Sequence, residues 1–197
     1  MGRTPLSMLL LATKLKLAGL TVNLFAYSVT FESWKGCIAR LERFIDSKSA
    51  GEHYIMIGHS LGSVLTRAVI PNLSHQPKAC FFLAPPAMAC QAAQKLAPNF
   101  GYRLLTGEMG QLLANQSFMS SLPILDMPTF VYAGDGGMTG TLSPFGNEPN
   151  DGILSVMETR LPNARIEIVP SLHTFIMNNR AIAESIIQKC NTETFKP

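Results

Sequence analysis

Tyr54-Ile55-Met56-Ile57-Gly58-His59-Ser60-Leu61-Gly62 is the stretch that decides how this chain is read. Tyr54 to Ile57 is uncharged and reads as a short buried strand, and it runs directly into a serine flanked by glycine two positions before and two after. That spacing suits a sharp strand-to-helix turn. The serine takes a strained backbone conformation, and a Cβ at either glycine would press on a neighbouring strand or helix. Such a turn lifts the serine Oγ clear of the sheet and sets it at a helix N-terminus. There the partial positive charge and the free N–H of Leu61 can stabilise a developing oxyanion. Ser60 is therefore the candidate nucleophile; the plainer reading is a surface turn, and the strand before and helix after argue against it.

Outward from this turn, apolar strand-like runs alternate with helical ones, the pattern of an α/β protein. Pro5 to Ala18 has apolar residues at helical spacing and Gly19 where a helix would stop. Thr21 to Val29 reads as a strand and Phe31 to Ser47 as an amphipathic helix. A helix from Ser60 to about Val69 closes at Pro71, and Ala79 to Leu83 is the next strand. Met88 to Ser121 reads as helical throughout, either a small cap over the site or a plain packed pair. Strands at Thr129 to Ala133 and Arg165 to Val169, a helix over Gly152 to Leu161 and a closing helix over Arg180 to Lys189 complete the pattern. The expectation is a single domain over residues 1–197, a three-layer sandwich with helices on both faces of a mostly parallel sheet of five or more strands.

Composition bounds the function. A chain of 197 residues, 47% hydrophobic and 15% charged, is too apolar for disorder and suits a sheet covered on both faces. Its net charge of +3 is scattered, without the basic run that would neutralise a row of phosphates, so nucleic acid is not an expected partner. Cys37, Cys80, Cys90 and Cys190 are far apart and lack CxxC spacing, which reads as reduced thiols rather than a zinc or redox site. Leu6 to Ala12 has some look of a secretory signal, but Lys14 and Lys16 follow at once without a small-residue cleavage site. No apolar run approaches bilayer length, and a soluble cytoplasmic protein is expected. No cofactor is implied; Asp135-Gly136-Gly137 as a metal or phosphate loop lacks accompanying ligands and a lysine.

A serine nucleophile needs a base. His173 follows the last expected strand by a short turn and precedes the closing helix, where a loop can carry an imidazole to the carboxyl edge of the sheet. His59 lies inside the turn and is expected to point elsewhere, His53 sits at the opposite end of the strand, and His75 is in a solvated loop. The imidazole in turn needs an acid. Asp135, directly after Thr129 to Ala133, and Asp151, 22 residues before His173, both qualify; each also reads as an ordinary turn or capping residue.

The order Ser60, Asp151, His173 in an α/β pattern resembles the α/β-hydrolase superfamily, in particular its small bacterial lipase- and esterase-like members. Ser143 to Gly152 together with Leu172-His173-Thr174 adds to the resemblance. In such proteins the acid precedes the last strand, about twenty residues ahead of the histidine, which implies Asp151 rather than Asp135. The resemblance also implies a strand ending in His-Gly just before Gly2-Arg3-Thr4-Pro5, lying between Thr21 to Val29 and Tyr54 to Ile57. This sequence begins where that dipeptide should stand. By position the second oxyanion donor, beside Leu61, is Met1 or Gly2, and Met1 is read as an internal methionine. The implied activity is hydrolysis of a carboxylic ester, a small-molecule ester or lipid-like substrate, through an acyl-enzyme. The alternative is an impaired, non-catalytic hydrolase fold serving as a binding module.

Overall fold

The computed structural model describes residues 5–49 and 52–192. The strand Ala79–Leu83 (β2) shows why the chain layers as it does. Its five side chains are all buried, yet Cys80 and Phe82 pack into one cluster while Ala79, Phe81 and Leu83 pack into another. Successive side chains leave a strand on opposite faces, so a strand apolar at every position requires a cover on both. One cover comes from the helices Trp34–Ser49 (α2) and Leu61–Val69 (α3), with Met109 and Met119 from the helices Phe100–Ala114 (α5) and Gln116–Ser121 (α6). The other comes from Leu9–Leu17 (α1) and Arg180–Asn191 (α7), through Leu11, Leu15, Ile182 and Ile186. A short helix, Gln91–Leu96 (α4), precedes α5.

All strand pairs are parallel. The sheet runs β1 (Ile55–His59), β2, β3 (Thr129–Gly134), β4 (Arg165–Val169), with His59 opposite Leu83, Leu83 opposite Tyr132 and Gly134 opposite Val169. The carboxyl ends of the strands therefore share one edge, and the loops leaving β1, β3 and β4 converge there. Among the described residues no helix is long and apolar enough to cross a membrane.

Two expectations are corrected. Among the described residues the sheet has four strands rather than five or more, because Thr21–Val29 is not one of them. Its residues suit a strand, but a strand exists only through a ladder with a neighbour, and none of the described residues runs alongside to form one. The stretch 152–161 is also not an α-helix. It holds a bridge between Asn150 and Ser155 and a single 3₁₀ turn at Met157–Thr159. Asp151, Asn150 and Ser155 side chains bond the local backbone there, an outlet that competes with helix formation.

Candidate active site

Ser60 stands between β1 and α3 with φ 51° and ψ −121°, a backbone conformation that costs on the order of 1–3 kcal/mol for a residue with a side chain. The surroundings hold it there. Its N–H donates to the carbonyl of Leu83 (2.9 Å), and its carbonyl accepts both the N–H (2.9 Å) and the Oγ–H (2.5 Å) of Ser63. Gly58 permits the tight return of α3: a Cβ there would lie 2.7 Å from the Cα of Ser63. The expectation of a similar clash at Gly62 is corrected, since a Cβ there would find its nearest neighbour, the Tyr27 hydroxyl, at 3.9 Å. At Gly62 a Cβ would make an ordinary van der Waals contact rather than a clash.

The loop after β4 brings His173 to this turn. Its Nε2 lies 3.0 Å from Ser60 Oγ and its Nδ1 2.7 Å from Asp151 Oδ2. Both partners of this ion-pair geometry are buried, His173 at 5% and Asp151 at 2% exposure, so water competes little for the contact. The backbone ties the two loops as well, the His173 N–H donating to the Asp151 carbonyl (2.9 Å). Asp151 Oδ1 accepts the N–H groups of Ile153 (2.9 Å) and Leu154 (2.7 Å). One oxygen thus closes the local turn and the other faces His173; the helix-capping role foreseen for Asp151 is corrected, since no α-helix follows it. Asn150, also buried, anchors the turn through Met138, Glu148 and Gly152. Asp135, by contrast, is exposed, and its side chain makes no hydrogen bond among the described residues.

His59 does not simply point away. Its Nε2 lies 3.1 Å from the carbonyl of His173, which can only accept, and the two rings sit 5.1 Å apart. It is the neighbour of the site that sequence reasoning passed over; its place directly before Ser60 was the available signal. His53 and His75 are exposed and remote from the serine, and the four cysteines are unpaired. Burial pushes the Cys80 thiol up to about 12, well away from thiolate chemistry.

As the first residue of α3, Leu61 presents an N–H that has no partner within the helix, next to Ser60. Met1 and Gly2, expected to give a second donor, lie outside the described residues. A cavity of about 960 Å³ opens on Ser60 and His173. Its lining includes Ala93, Leu96, Tyr102 and Leu113 of α4 and α5 and Ile55 and Ile57 of β1. Among the described residues no cluster of three or more His, Cys, Asp and Glu side chains is placed to hold a metal ion.

No family model matches the sequence, and a comparison with curated proteins returned no match. Solved structures do resemble the fold. The mature form of a lipase from Bacillus licheniformis aligns with a TM-score of 0.64 at 17% identity, over 100% of this chain and 89% of that one. A Xanthomonas campestris protein assigned to the α/β-hydrolase superfamily aligns with a TM-score of 0.62 at 14% identity, over 97% and 94%. Tomato methylketone synthase I complexed with 2-tridecanone gives 0.61 at 11%, over 96% and 94%. The chain has an α/β-hydrolase-like fold.

Proposed function

We propose that this chain is a serine hydrolase that cleaves a carboxylic ester through an acyl-enzyme. The observation that carries the reading is the continuous contact Asp151 Oδ2, His173 Nδ1, His173 Nε2, Ser60 Oγ, at 2.7 and 3.0 Å. With Nδ1–H donating to the carboxylate, Nε2 is left to accept the Ser60 proton as Oγ attacks the ester carbonyl. The imidazolium so formed is stabilised by Asp151 and then protonates the leaving alcohol; water repeats the cycle to release the acid. Leu61 N–H and the N-terminus of α3 face the oxygen on which negative charge develops. His59, donating to the His173 carbonyl, is read as a positioning residue for the loop that carries the base.

The part of the cavity lined by α4 and α5 supports a largely apolar acyl group, because Ala93, Leu96 and Leu113 line it, with Tyr102 as a polar neighbour. That methylketone synthase is complexed with 2-tridecanone fits a chain-like ligand in this fold. Residues 1–197 are read as one hydrolase domain, its helices at 88–121 forming a small cap, acting on a small-molecule, lipid-like ester in the cytoplasm.

A fluorophosphonate probe tests the reading. The wild-type chain is expected to be labelled covalently, Ser60→Ala not at all and His173→Ala only slowly, with p-nitrophenyl esters of medium chain length turned over by the wild type alone. A wild-type chain that resists the probe, or a Ser60→Ala variant that is still labelled, would favour the non-catalytic binding module instead.

A further inference from the structure

On the side away from β1 the sheet ends at β4, and that edge is open. The Asp135 N–H donates to the Val169 carbonyl (3.1 Å) and the Gly136 N–H to the Ser171 carbonyl (3.1 Å), so the backbone groups of odd-numbered residues here are turned toward β3. Alternation along the strand turns those of Ile166 and Ile168 outward. Among the described residues no hydrogen bond reaches them on that side. Ile168 is also 52% exposed, a large apolar side chain at a free edge. Such an edge is a template for pairing, and chains that must stay apart blunt it with proline or like charge inside the strand. Here the prolines stand at the two ends instead, Pro162 and Pro170, and leave positions 164, 166 and 168 between them.

The edge is complementary to itself in one register. Two copies meeting antiparallel exchange hydrogen bonds only where outward residue opposes outward residue, so even numbers must face even numbers. Centring the pair on Glu167 sets two carboxylates opposite each other and runs Ala164 against Pro170, which has no N–H. Centring on Arg165 opposes two guanidinium groups and runs Ile168 against Pro162, while centring on Ala164 or Ile168 sets Ile166 against a proline. Centring on Ile166 meets none of these objections. Ile166 then exchanges two backbone bonds with its own counterpart, and Ile168 donates to the Ala164 carbonyl on each side. The Ala164 N–H keeps the Leu161 carbonyl, 3.4 Å away. Arg165 opposes Glu167 twice, at the non-hydrogen-bonded positions where cross-strand side chains come closest.

We infer that the chain associates with a second copy of itself through β4, antiparallel and centred on Ile166, so that the two sheets join into one. The charges are ready for it. Arg165 is exposed and forms no ion pair among the described residues. Glu167 takes the Lys189 ammonium on Oε1 (2.7 Å) and still leaves its side chain 41% exposed, so the guanidinium of the other copy can join the same carboxylate. The partly exposed Ile168 side chain gains Ile166 of the other copy as a diagonal neighbour on the same face of the joined sheet. With two backbone bonds at its centre and one on either side the ladder is short, and the pair exchanges rather than being permanent.

The test follows the full chain by sedimentation velocity over roughly a hundredfold range of concentration, where a monomer passing to a dimer is expected. Arg165→Glu and Glu167→Arg should each weaken association at least about tenfold, since each makes both cross-strand charge pairs like-signed. An equimolar mixture of the two variants should associate again, because each copy then supplies the charge the other lacks. Amide hydrogen exchange on the unaltered chain reads the register. It should slow at Ile166 and Ile168 as concentration rises and stay constant at Arg165 and Glu167, whose N–H groups already face β3. A chain that stays monomeric, a dimer indifferent to both substitutions, or a mixture that does not recover would overturn the inference. Protection of Ile166 and Ile168 at every concentration would do so too, placing a segment of the same chain on the edge. None of these readouts involves hydrolysis, so their failure is independent of the proposed activity.

Discussion

Replacing Asp151 by asparagine separates its service to the imidazole from its service to the fold. The carboxylate is divided: Oδ1 holds the N–H groups of Ile153 and Leu154, and Oδ2 holds Nδ1–H of His173. In Asp151→Asn the amide oxygen stays with the two backbone donors, which need an acceptor, and the NH₂ is left facing His173. Two donors cannot share that contact, so the imidazole moves its proton to Nε2, where it can no longer accept one from Ser60. Loss of the base through the wrong tautomer is worth about 10⁴-fold in kcat, or about 5.5 kcal/mol of transition-state stabilisation. The fold exchanges one charge-assisted hydrogen bond for a neutral amide–imidazole one, a loss of about 1 kcal/mol. Turnover of p-nitrophenyl butyrate and urea unfolding, run beside Asp135→Asn, read the two quantities separately. Asp135 is exposed and its carboxylate makes no hydrogen bond among the described residues, so its variant should stay within about twofold of wild type in activity. Retention of more than about a tenth of wild-type kcat by Asp151→Asn, or a larger loss in Asp135→Asn, would refute the reasoning.

The two glycines of the turn should behave differently. Gly58→Ala drives a Cβ to 2.7 Å from backbone and should cost about 3 kcal/mol or more in urea unfolding, while Gly62→Ala meets nothing nearer than 3.9 Å and should be neutral to about 1 kcal/mol stabilising. Glu158 is buried and accepts the N–H groups of Gln91 (2.7 Å) and Ser155 (2.9 Å). Glu158→Ala leaves both donors unpaired and should lower stability by about 2–6 kcal/mol, visible as a fall in Tm. His59→Ala removes the bond to the His173 carbonyl and should lower kcat by about tenfold with KM little changed, with His59→Gln recovering part of it. A lower Tm with kcat unchanged would mark His59 as structural only.

Where the sequence pattern misled, tertiary context or local side-chain chemistry overrode it. Thr21 to Val29 alternates as a strand should, yet what makes a strand is the neighbour, and Phe25 and Ala26 are claimed by Arg40 and Phe44 of α2 instead. Residues 152–161 carry helical periodicity, but Gly152 at φ +90° and the buried side chains of Asn150 and Asp151 close a tight turn there. That turn aims the Asp151 carboxylate at His173. The choice between Asp135 and Asp151 was open from spacing alone, and only the resemblance preferred Asp151.

By itself the sequence determined the local parts: a serine on a glycine-flanked bend between strand and helix, the parallel α/β layering, and strands buried on both faces. Each of these is written in residues a few positions apart, through backbone sterics and hydrophobic period. Only the tertiary structure decided which carboxylate meets His173 and that His59 touches the His173 carbonyl. Those are contacts between segments up to 114 residues apart, set by how the loops pack at one edge of the sheet.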